Sequence, residues 1–303
     1  MSLGDLVKKA VPTTSIKSMI SKKFIEDRPL PPLRLEDDAY VRSSGLGYLC
    51  AREEIICNAL NIDQRRNKFT SDSMLTLVHG TALHWAIQNK ILPELNILLG
   101  QWSCLECGLK HGLPTGTQAL EDFLIKRPAK CNNTKCNSTE FQYCELHFKD
   151  PDYRIGGHPD GFLKMDGLEG LGLLEVKSVN QENAIKALAG PFEEHIIQAH
   201  VYMWLTRVNW TKFIYWDKAG RGVSSIIEHT VNKDQKIIDE IKLFLKSLWD
   251  GIETKQLPTK PFLLDQKNEN KAKIKVTDAS NCPKAKKCIV SDICGKNKTF
   301  LEV

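Results

Sequence analysis

The chain has 303 residues, of which 42% are hydrophobic and 26% are charged. This composition is typical of a globular protein with a sizeable core, and it excludes a wholly disordered or collagen-like chain. Because 42 Lys and Arg residues accompany 37 Asp and Glu residues, the net charge of +5 permits a polyanionic partner without requiring one.

The N-terminal segment, residues 1–37, combines several lysines with a proline-rich stretch and has no regular apolar period. We predict a poorly packed basic arm there. The chain starts without a long apolar run ahead of a small-residue cleavage site, and no stretch of about 18 consecutive apolar residues follows. We therefore expect a protein that is not secreted, has no membrane partner and remains in the cytoplasm.

Residues 38–101 are predicted to form a mainly helical unit. Apolar residues recur at helical spacing over residues 44–60 and again over residues 71–99. Ser71 and Asp72 are suitable N-cap residues for the second of these stretches. Two or more helices are therefore expected to precede the first strands.

Residues 143–262 are predicted to contain strands as well as helices. Two short β-type runs between residues 143 and 178 are separated by Asp166-Gly167, a sequence that favours a hairpin turn. The order of elements predicts one α/β domain. The elements expected after the hairpin are a helix over 193–207, strands over 212–216 and 223–229, and a helix over 232–249.

The segment between these units, residues 102–142, carries four cysteines in two close pairs. Cys104 and Cys107 are separated by two residues, and Cys131 and Cys136 are separated by four. This spacing predicts a tetrahedral structural zinc site in an inserted ribbon or knuckle, and four unliganded cysteines are the alternative. Because the insert has few apolar residues, we expect the ion to supply its folding energy.

Two acidic residues and a lysine flank the predicted hairpin turn. Asp160 precedes the turn, and Glu175 and Lys177 lie two residues apart after it, so that they share one face of a strand. An acidic residue two positions before a lysine is common in this chain. Only Glu175 and Lys177 lie in an apolar β-type run, where a buried charge is costly unless an opposite charge or a ligand accompanies it. Converging carboxylates and an ammonium group suit Mg²⁺ or Mn²⁺ and the hydrolysis of a phosphodiester. Pro151-Asp152 is a competing pair without a clear hairpin partner.

The pattern of Asp160, Glu175 and Lys177 resembles the motif of the PD-(D/E)XK nuclease superfamily. Within this superfamily it resembles the RecB-like branch, which includes the CRISPR-associated iron–sulfur exonucleases. The resemblance covers about residues 40–295 apart from the insert. It implies an α/β, restriction-endonuclease-like core, in which a central mixed β-sheet is flanked by helices. The further motifs that support it are Gly-x-x-x-His at Gly80 and His84, Gln-x-x-x-Tyr at Gln198 and Tyr202, and the segment 43–52 that contains Cys50.

The resemblance also implies a function, which is metal-dependent hydrolysis of DNA by an exonuclease acting on single strands or ends in recombination, repair or replication. Lys177 would orient water or help to deprotonate it, and Gln198 and Tyr202 would position Lys177 or the nucleic-acid backbone. His79 is the alternative to His84 as the metal-binding imidazole. The expected ligands of Mg²⁺ or Mn²⁺ are His84, Asp160, Glu175 and the Val176 carbonyl oxygen, with Glu145 as an additional acid near the site.

Three cysteines lie in the C-terminal segment, residues 263–303. They are Cys282, Cys288 and Cys294. The resemblance implies that Cys50 is their partner around a [4Fe–4S] cluster, which would join the two ends of the chain. The five residues between Cys282 and Cys288 exceed the usual spacing of the family. Zinc held by the same three cysteines with Cys50 or Cys57 is therefore the alternative.

Two functions other than DNA hydrolysis would each explain some of these sequence features. A non-catalytic DNA-binding or assembly subunit would keep the fold and the clusters, although an idle site has no reason to retain the hairpin charges. A redox or zinc-dependent regulator would account for the cysteines alone. DNA is the expected partner, with a recombination or replication protein as a second one and a location at nucleoid or viral DNA. Aromatic side chains could stack on the bases of a bound single strand, although such side chains more often pack in the core. The candidates are Trp204, Trp210, Tyr215 and Trp216.

Overall fold

The computed structural model describes residues 40–60, 62, 71–113, 119–220, 222–258, 288, 290 and 294. Within these residues the protein is a mixed α/β structure with seven α-helices and eleven strands in three sheets. The predicted arm over residues 1–37 and the cysteine Cys282 lie outside the described residues. None of the helices in the described ranges combines the length and the apolar content needed to cross a membrane.

The main sheet has its longest strands at the centre. The strands of the described chain are β1 (Val41–Arg42), β2 (Leu98–Leu99), β3 (Gln101–Cys104), β4 (Lys110–His111), β5 (Phe141–Cys144), β6 (Phe148–Asp150), β7 (Ile155–Gly157), β8 (Gly161–Leu163), β9 (Gly172–Val179), β10 (Trp210–Asp217) and β11 (Ile226–Asn232). The main sheet has the order β11-β10-β9-β8-β2, in which only the β9–β10 pair is parallel. Two smaller sheets have the orders β1-β7-β6 and β4-β3-β5. The apolar residues of β9 are buried on both faces, as expected for a strand that is covered on both sides.

The helices cover the main sheet and connect its strands. In the described ranges they are α1 (Ser43–Leu46), α2 (Ala51–Ala59), α3 (Ser71–Ala86), α4 (Leu120–Phe123), α5 (Gln181–Ala187), α6 (Glu193–Thr206) and α7 (Gln235–Thr254). The first of the long helices, α3, continues directly into a π-helical turn, Ile87–Ile91. The crossover that the parallel β9–β10 pair needs contains α5 and α6. The Asp234 side chain caps α7 by accepting a hydrogen bond from the Lys236 N–H.

The two faces of β9 belong to different apolar clusters. On one face Leu173 packs in a cluster with Met203 of α6. On the other face Leu174 packs in a cluster with Trp102 and Phe141, which belong to β3 and β5. A third cluster joins α1, α2, α6 and α7. Successive side chains of β9 therefore contact helix α6 and the four-cysteine insert in alternation.

The insert is packed against the main sheet through its aromatic residues. Trp102 is fully buried, its indole N–H donates to the Ile125 carbonyl oxygen at 3.1 Å, and its ring meets Tyr143 edge-on with the centroids 5.2 Å apart. Apolar packing therefore contributes to the stability of the insert, and the share of its folding energy that a bound ion supplies stays a prediction. Trp102 and Phe141 share a buried apolar cluster with Leu174 and Val176 of β9, a proximity that composition does not reveal.

Most predicted elements after residue 143 are present, with bounds shifted by a few residues. The hairpin joins β8 to β9, but its connection spans residues 164–171 instead of a two-residue turn. Gly167 nevertheless has the positive φ of 81° that a turn glycine adopts readily. Residues 38–101 contain β1 and β2 in addition to helices, and β2 belongs to the main sheet. The domain boundaries themselves stay a prediction.

Candidate active site

The pairing of β8 with β9 brings the two predicted carboxylates close together. Asp160 immediately precedes β8, whose first residue, Gly161, pairs with Leu174 beside Glu175. Both acids are buried, with Asp160 7% and Glu175 1% exposed. Asp160 Oδ2 accepts a hydrogen bond from the Val176 N–H at 2.6 Å, which holds this carboxylate against the middle of β9.

Lys177 joins this group from the same face of β9 as Glu175, as the alternation of the strand predicted. Its Nζ donates to Glu175 Oε1 at 2.5 Å and to Gln198 Oε1 at 3.0 Å. The Gln198 amide donates to the Tyr202 hydroxyl oxygen at 3.3 Å. Because Gln198 and Tyr202 are one turn apart on α6, both lie over this face. A single hydrogen-bonded chain therefore connects four of the predicted site residues.

His84 contacts the same group from the last turn of α3. Its Nδ1 lies 3.2 Å from Asp160 Oδ1, whereas the side chain of His79, the alternative imidazole, is exposed. Burial acts to lower the pKa of His84, but the hydrogen bond to Asp160 and the charge of Asp160 outweigh it, so that the pKa is raised. The structure therefore places His84, and not His79, beside the buried carboxylates.

The charges of this site lie in a desolvated environment. Burial raises the pKa of Glu175 to about 7, although the positive charge of Lys177 opposes the rise. Burial acts to lower the pKa of Lys177, but the charges of Glu175 and Asp160 reverse this effect and raise it. Glu175 Oε2 is buried and has no hydrogen-bond partner among the residues that the structure describes. A buried carboxylate oxygen in this state is costly unless a ligand such as a cation completes its coordination.

Two more residues enter the site from a different direction. Glu145 follows β5, and the ligand atoms of Glu145, His84 and Asp160 all lie within 4.8 Å of one another. Gln88, in the π-helical turn, donates to Glu145 Oε1 at 2.8 Å and to the Asp160 carbonyl oxygen at 2.7 Å. Glu145 was expected only as an additional acid, and Gln88 was not expected, because no local spacing links a π-helical turn to these distant residues.

The donor atoms of the site fit a hard divalent cation. Carboxylate oxygens are the ligands that Mg²⁺ prefers, and one imidazole nitrogen beside them is well suited to Mn²⁺. Glu175 Oε2 is buried and has no hydrogen-bond partner within the described part of the chain, and such an ion would provide a partner for it. The Lys177 ammonium lies next to these donors, so the site combines carboxylates with a positively charged side chain.

The four cysteines of the insert come together as predicted. Cys104 Sγ and Cys136 Sγ are 3.8 Å apart, and Cys107 Sγ and Cys131 Sγ are 3.6 Å apart. Tetrahedral zinc with Zn–S bonds of about 2.3 Å has S–S edges of about 3.8 Å, so the thiol spacing fits this ion. The backbone N–H groups of Cys107 and Glu106 lower the pKa of the Cys104 thiol to about 6, whereas burial and the neighbouring thiols raise the pKa values of Cys131 and Cys136.

Three of the four cysteines predicted around the C-terminal cluster are described, and they lie near one another. Burial raises the pKa of the Cys288 thiol to about 12, and the proximity of Cys50 and Cys294 adds to the rise. The buried Arg52 donates from Nε to Cys294 Sγ at 3.3 Å and from Nη1 to the Pro258 carbonyl oxygen at 2.5 Å. Arg52 therefore connects α2 with the C-terminal cysteines.

The aromatic residues suggested for a single-strand path contribute to the core. Trp210 and Tyr215 are 3% and 0% exposed, so the expectation is wrong for these two. Trp204 meets Tyr153 edge-on, and Trp216 packs against the apolar cluster on the insert side of the main sheet. Trp210 shares a buried apolar cluster with Trp102 of the insert, and Tyr215 shares one with Met203 of α6, which accounts for the burial of both side chains.

No protein-family model and no curated protein sequence matches the chain. Among solved structures it is similar to the alkaline exonuclease LHK-Exo from Laribacter hongkongensis, with 17% identity, a TM-score of 0.38, and coverage of 71% of this chain and 89% of that one. It is similar to the protein SSO0001, with 13% identity, a TM-score of 0.42, and coverage of 94% and 98%. A phage-related exonuclease from Haemophilus somnus 129PT matches with 15% identity, a TM-score of 0.27, and coverage of 36% and 58%.

Proposed function

We propose that the protein is a divalent-metal-dependent deoxyribonuclease, most specifically an exonuclease that hydrolyses phosphodiester bonds at DNA ends or in single strands. The observation that carries the proposal is the buried Glu175. One of its oxygens accepts a hydrogen bond from Lys177, and the other is buried without a hydrogen-bond partner within the described residues, while the charge of Asp160 also acts on this carboxylate. Buried acids that converge beside a lysine are the groups that metal-assisted attack on a phosphodiester requires.

Each residue of the hydrogen-bonded chain has a role in this mechanism. When bound, the ion would polarise the scissile phosphate and lower the pKa of a coordinated water molecule. Lys177 stays protonated because Glu175 and Asp160 raise its pKa, and it would orient the attacking water and stabilise negative charge on the phosphate. Gln198 would hold the ammonium in place, and Tyr202 would hold Gln198. The ligands proposed for Mg²⁺ or Mn²⁺ are His84, Asp160, Glu175 and the Val176 carbonyl oxygen.

The choice of DNA as substrate rests on the motifs of the hairpin, α3 and α6, which resemble those of RecB-like nucleases. The net charge of +5 is compatible with a polyanionic substrate. Recombination, repair or replication is the proposed setting, with association to nucleoid or viral DNA and with a recombination or replication protein as a second partner.

Two further metal groups belong to the proposal. Zinc in the insert is supported by the S–S distances of 3.6 and 3.8 Å. A [4Fe–4S] cluster is supported by the proximity of the described C-terminal cysteines to Cys50 and by the Arg52 guanidinium, whose charge would stabilise an anionic cluster. The proposed cluster ligands are Cys50, Cys282, Cys288 and Cys294.

The metal content of anaerobically purified protein tests both assignments. We expect about one zinc per chain and about four iron atoms with matching sulfide. Cys288→Ser should remove the iron and leave the zinc, whereas Cys104→Ser should do the reverse. Protein that contains two zinc ions and no iron would contradict the cluster.

The nuclease itself is tested by digestion of end-labelled single- and double-stranded DNA with Mg²⁺, Mn²⁺ or EDTA. We expect metal-dependent cleavage that is lost in Asp160→Asn and Glu175→Gln, while DNA binding measured by fluorescence anisotropy persists. Asp166→Asn, an exposed acid in the loop between β8 and β9, is the matched control and should retain activity. Binding without cleavage by the unmodified protein would favour the assembly-subunit alternative.

A further inference from the structure

The insert is physically continuous with the active site. Its last strand, β5, ends immediately before Glu145. This strand pairs with β3 so that Phe141 lies opposite Cys104, one of the four clustered thiols. A single strand pair therefore connects the thiol group with the acid whose carboxylate lies within 4.8 Å of the ligand atoms of His84 and Asp160.

The π-helical turn Ile87–Ile91 holds these parts together with two buried amide side chains. Gln88 and Asn89 are 6% and 5% exposed. Gln88 donates to Glu145 Oε1 at 2.8 Å, and Asn89 Oδ1 accepts from the Tyr143 N–H at 2.7 Å. A π-helical turn adds a residue to a regular helix and often occurs at functional sites. Here it directs two consecutive amides to the strand that precedes Glu145.

We propose that Glu145, which directly follows the last strand of the four-cysteine insert, is a further ligand of the catalytic cation, and that Gln88 positions this carboxylate. The inference rests on the metal-dependent function proposed above. Hydrogen bonding to Gln88 restricts a glutamate whose side chain is otherwise exposed, and it therefore lowers the entropy lost when the cation binds. A further anionic oxygen increases the affinity of a site for a hard cation.

Gln88 also contacts the backbone of the other acid. Its second donation, to the Asp160 carbonyl oxygen at 2.7 Å, uses the same amide nitrogen as the bond to Glu145. One side chain thus links the Glu145 carboxylate to the backbone of Asp160, two groups that belong to different parts of the fold. The fold of the insert and the affinity of the cation site are coupled as a consequence, since loosening β3 and β5 would release Glu145.

Mn²⁺ binding to the full-length protein, measured by electron paramagnetic resonance of the free ion, tests the inference without relying on activity. We expect Glu145→Gln to weaken Mn²⁺ binding by about tenfold or more, and Gln88→Leu to weaken it by about tenfold. Cys107→Ser removes the exposed member of the thiol group, and it should reduce both the zinc content and the Mn²⁺ affinity. Glu140→Gln, an exposed acid in the insert, is the matched control and should bind Mn²⁺ normally.

The outcomes separate this inference from the proposed function. If Asp160→Asn abolishes Mn²⁺ binding while Glu145→Gln binds it normally, Glu145 is not a ligand and the inference fails alone. If Asp160→Asn also binds Mn²⁺ normally, the proposed metal site itself fails. Loss of zinc from Cys107→Ser with unchanged Mn²⁺ affinity would overturn the coupling. Far-ultraviolet circular dichroism of each variant confirms that it is folded before its affinity is compared.

Discussion

The hairpin site and the four-cysteine insert both bring together groups that repel one another when charged, but they do so by different means. At the hairpin, Asp160 and Glu175 are held by strand pairing and by apolar packing on both faces of β9. In the insert, the thiols within 4.8 Å of one another lie around strands of two to four residues. We therefore expect the cation of the hairpin to serve catalysis and to exchange readily, and the ion of the insert to serve structure.

The largest effect is expected at the hairpin, for Lys177→Met. The rate of DNA cleavage should fall by about 10³-fold or more, because the ammonium that orients the water and stabilises negative charge on the phosphate would be lost. Methionine keeps the aliphatic volume, so the variant should stay folded. Single-turnover cleavage with Mn²⁺ measures the effect. The control is Lys212→Met on the neighbouring β10, where Lys212 Nζ lies 4.0 Å from Glu228 Oε2, and it should leave the cleavage rate nearly unchanged. If both variants lost the same cleavage rate, Lys177 would have no special role.

The next effect concerns stability and sharpens the contrast between the two regions. Leu174→Ala should lower the free energy of unfolding by about 2–5 kcal/mol, because Leu174 is fully buried in the apolar cluster that also contains Trp102 and Phe141. Chemical denaturation followed by tryptophan fluorescence measures it. Since Trp102 lies in the same cluster, hydrogen exchange should also accelerate in β3. The exposed Leu188→Ala is the control, and an equal cost there would argue against a shared core.

A smaller effect on activity is expected for Gln198→Leu. Cleavage should slow by about tenfold to a hundredfold, because Lys177 would lose the acceptor that holds its ammonium in place. The loss should appear in kcat and not in the affinity for DNA, and the pH at which Lys177 titrates in the rate profile should shift. Gln181→Leu at the exposed start of α5 is the control. A change confined to DNA affinity would assign Gln198 to substrate binding instead.

The smallest effect is a dependence of stability on pH at His195, beside the hairpin site. Burial lowers the pKa of His195 to about 3, and the charge of Lys177 contributes. Its stabilising contribution is complete above pH of about 6.5 and decreases as the pH falls, because the unfolded chain then binds the proton more readily. Allowing for partial exposure, we expect His195→Asn to reduce the loss of unfolding free energy between pH 7 and pH 5 by about 1 kcal/mol. Urea titrations at the two pH values measure this loss. If the unfolding free energy of His195→Asn falls between pH 7 and pH 5 by as much as that of the unmodified protein, other groups dominate the acid sensitivity.

Several parts of this molecule were predictable because local spacing sets them. Alternation along β9 placed Glu175 and Lys177 on one face, and helical spacing placed Gln198 and Tyr202 over them. The four thiols of the insert lie within 4.8 Å of one another, as the spacing of the two cysteine pairs predicted. The functional roles of these residues stay predictions, as do the assignments of zinc and of an iron–sulfur cluster.

Other parts depended on contacts between residues that are distant in the chain. The strand β2 lies in a stretch with helical spacing, and it becomes a strand because β8 offers its edge for pairing. Trp210 and Tyr215 were candidates for a nucleic-acid surface, and they are core residues because Trp210 packs in a cluster with Trp102 and Tyr215 packs in a cluster with Met203. Such tertiary effects override local preference and leave no periodic signal in a single sequence.

The amino-acid sequence alone therefore determined the residues of the candidate site and the faces on which they lie, because both follow from the periods of strands and helices. The tertiary structure decided which groups surround them. It selected His84 over His79, added Glu145 and Gln88, and packed the insert against β9, since each of these results from the meeting of segments far apart in the chain. Local periodicity specifies the direction of a side chain, but only the packed fold specifies its neighbours.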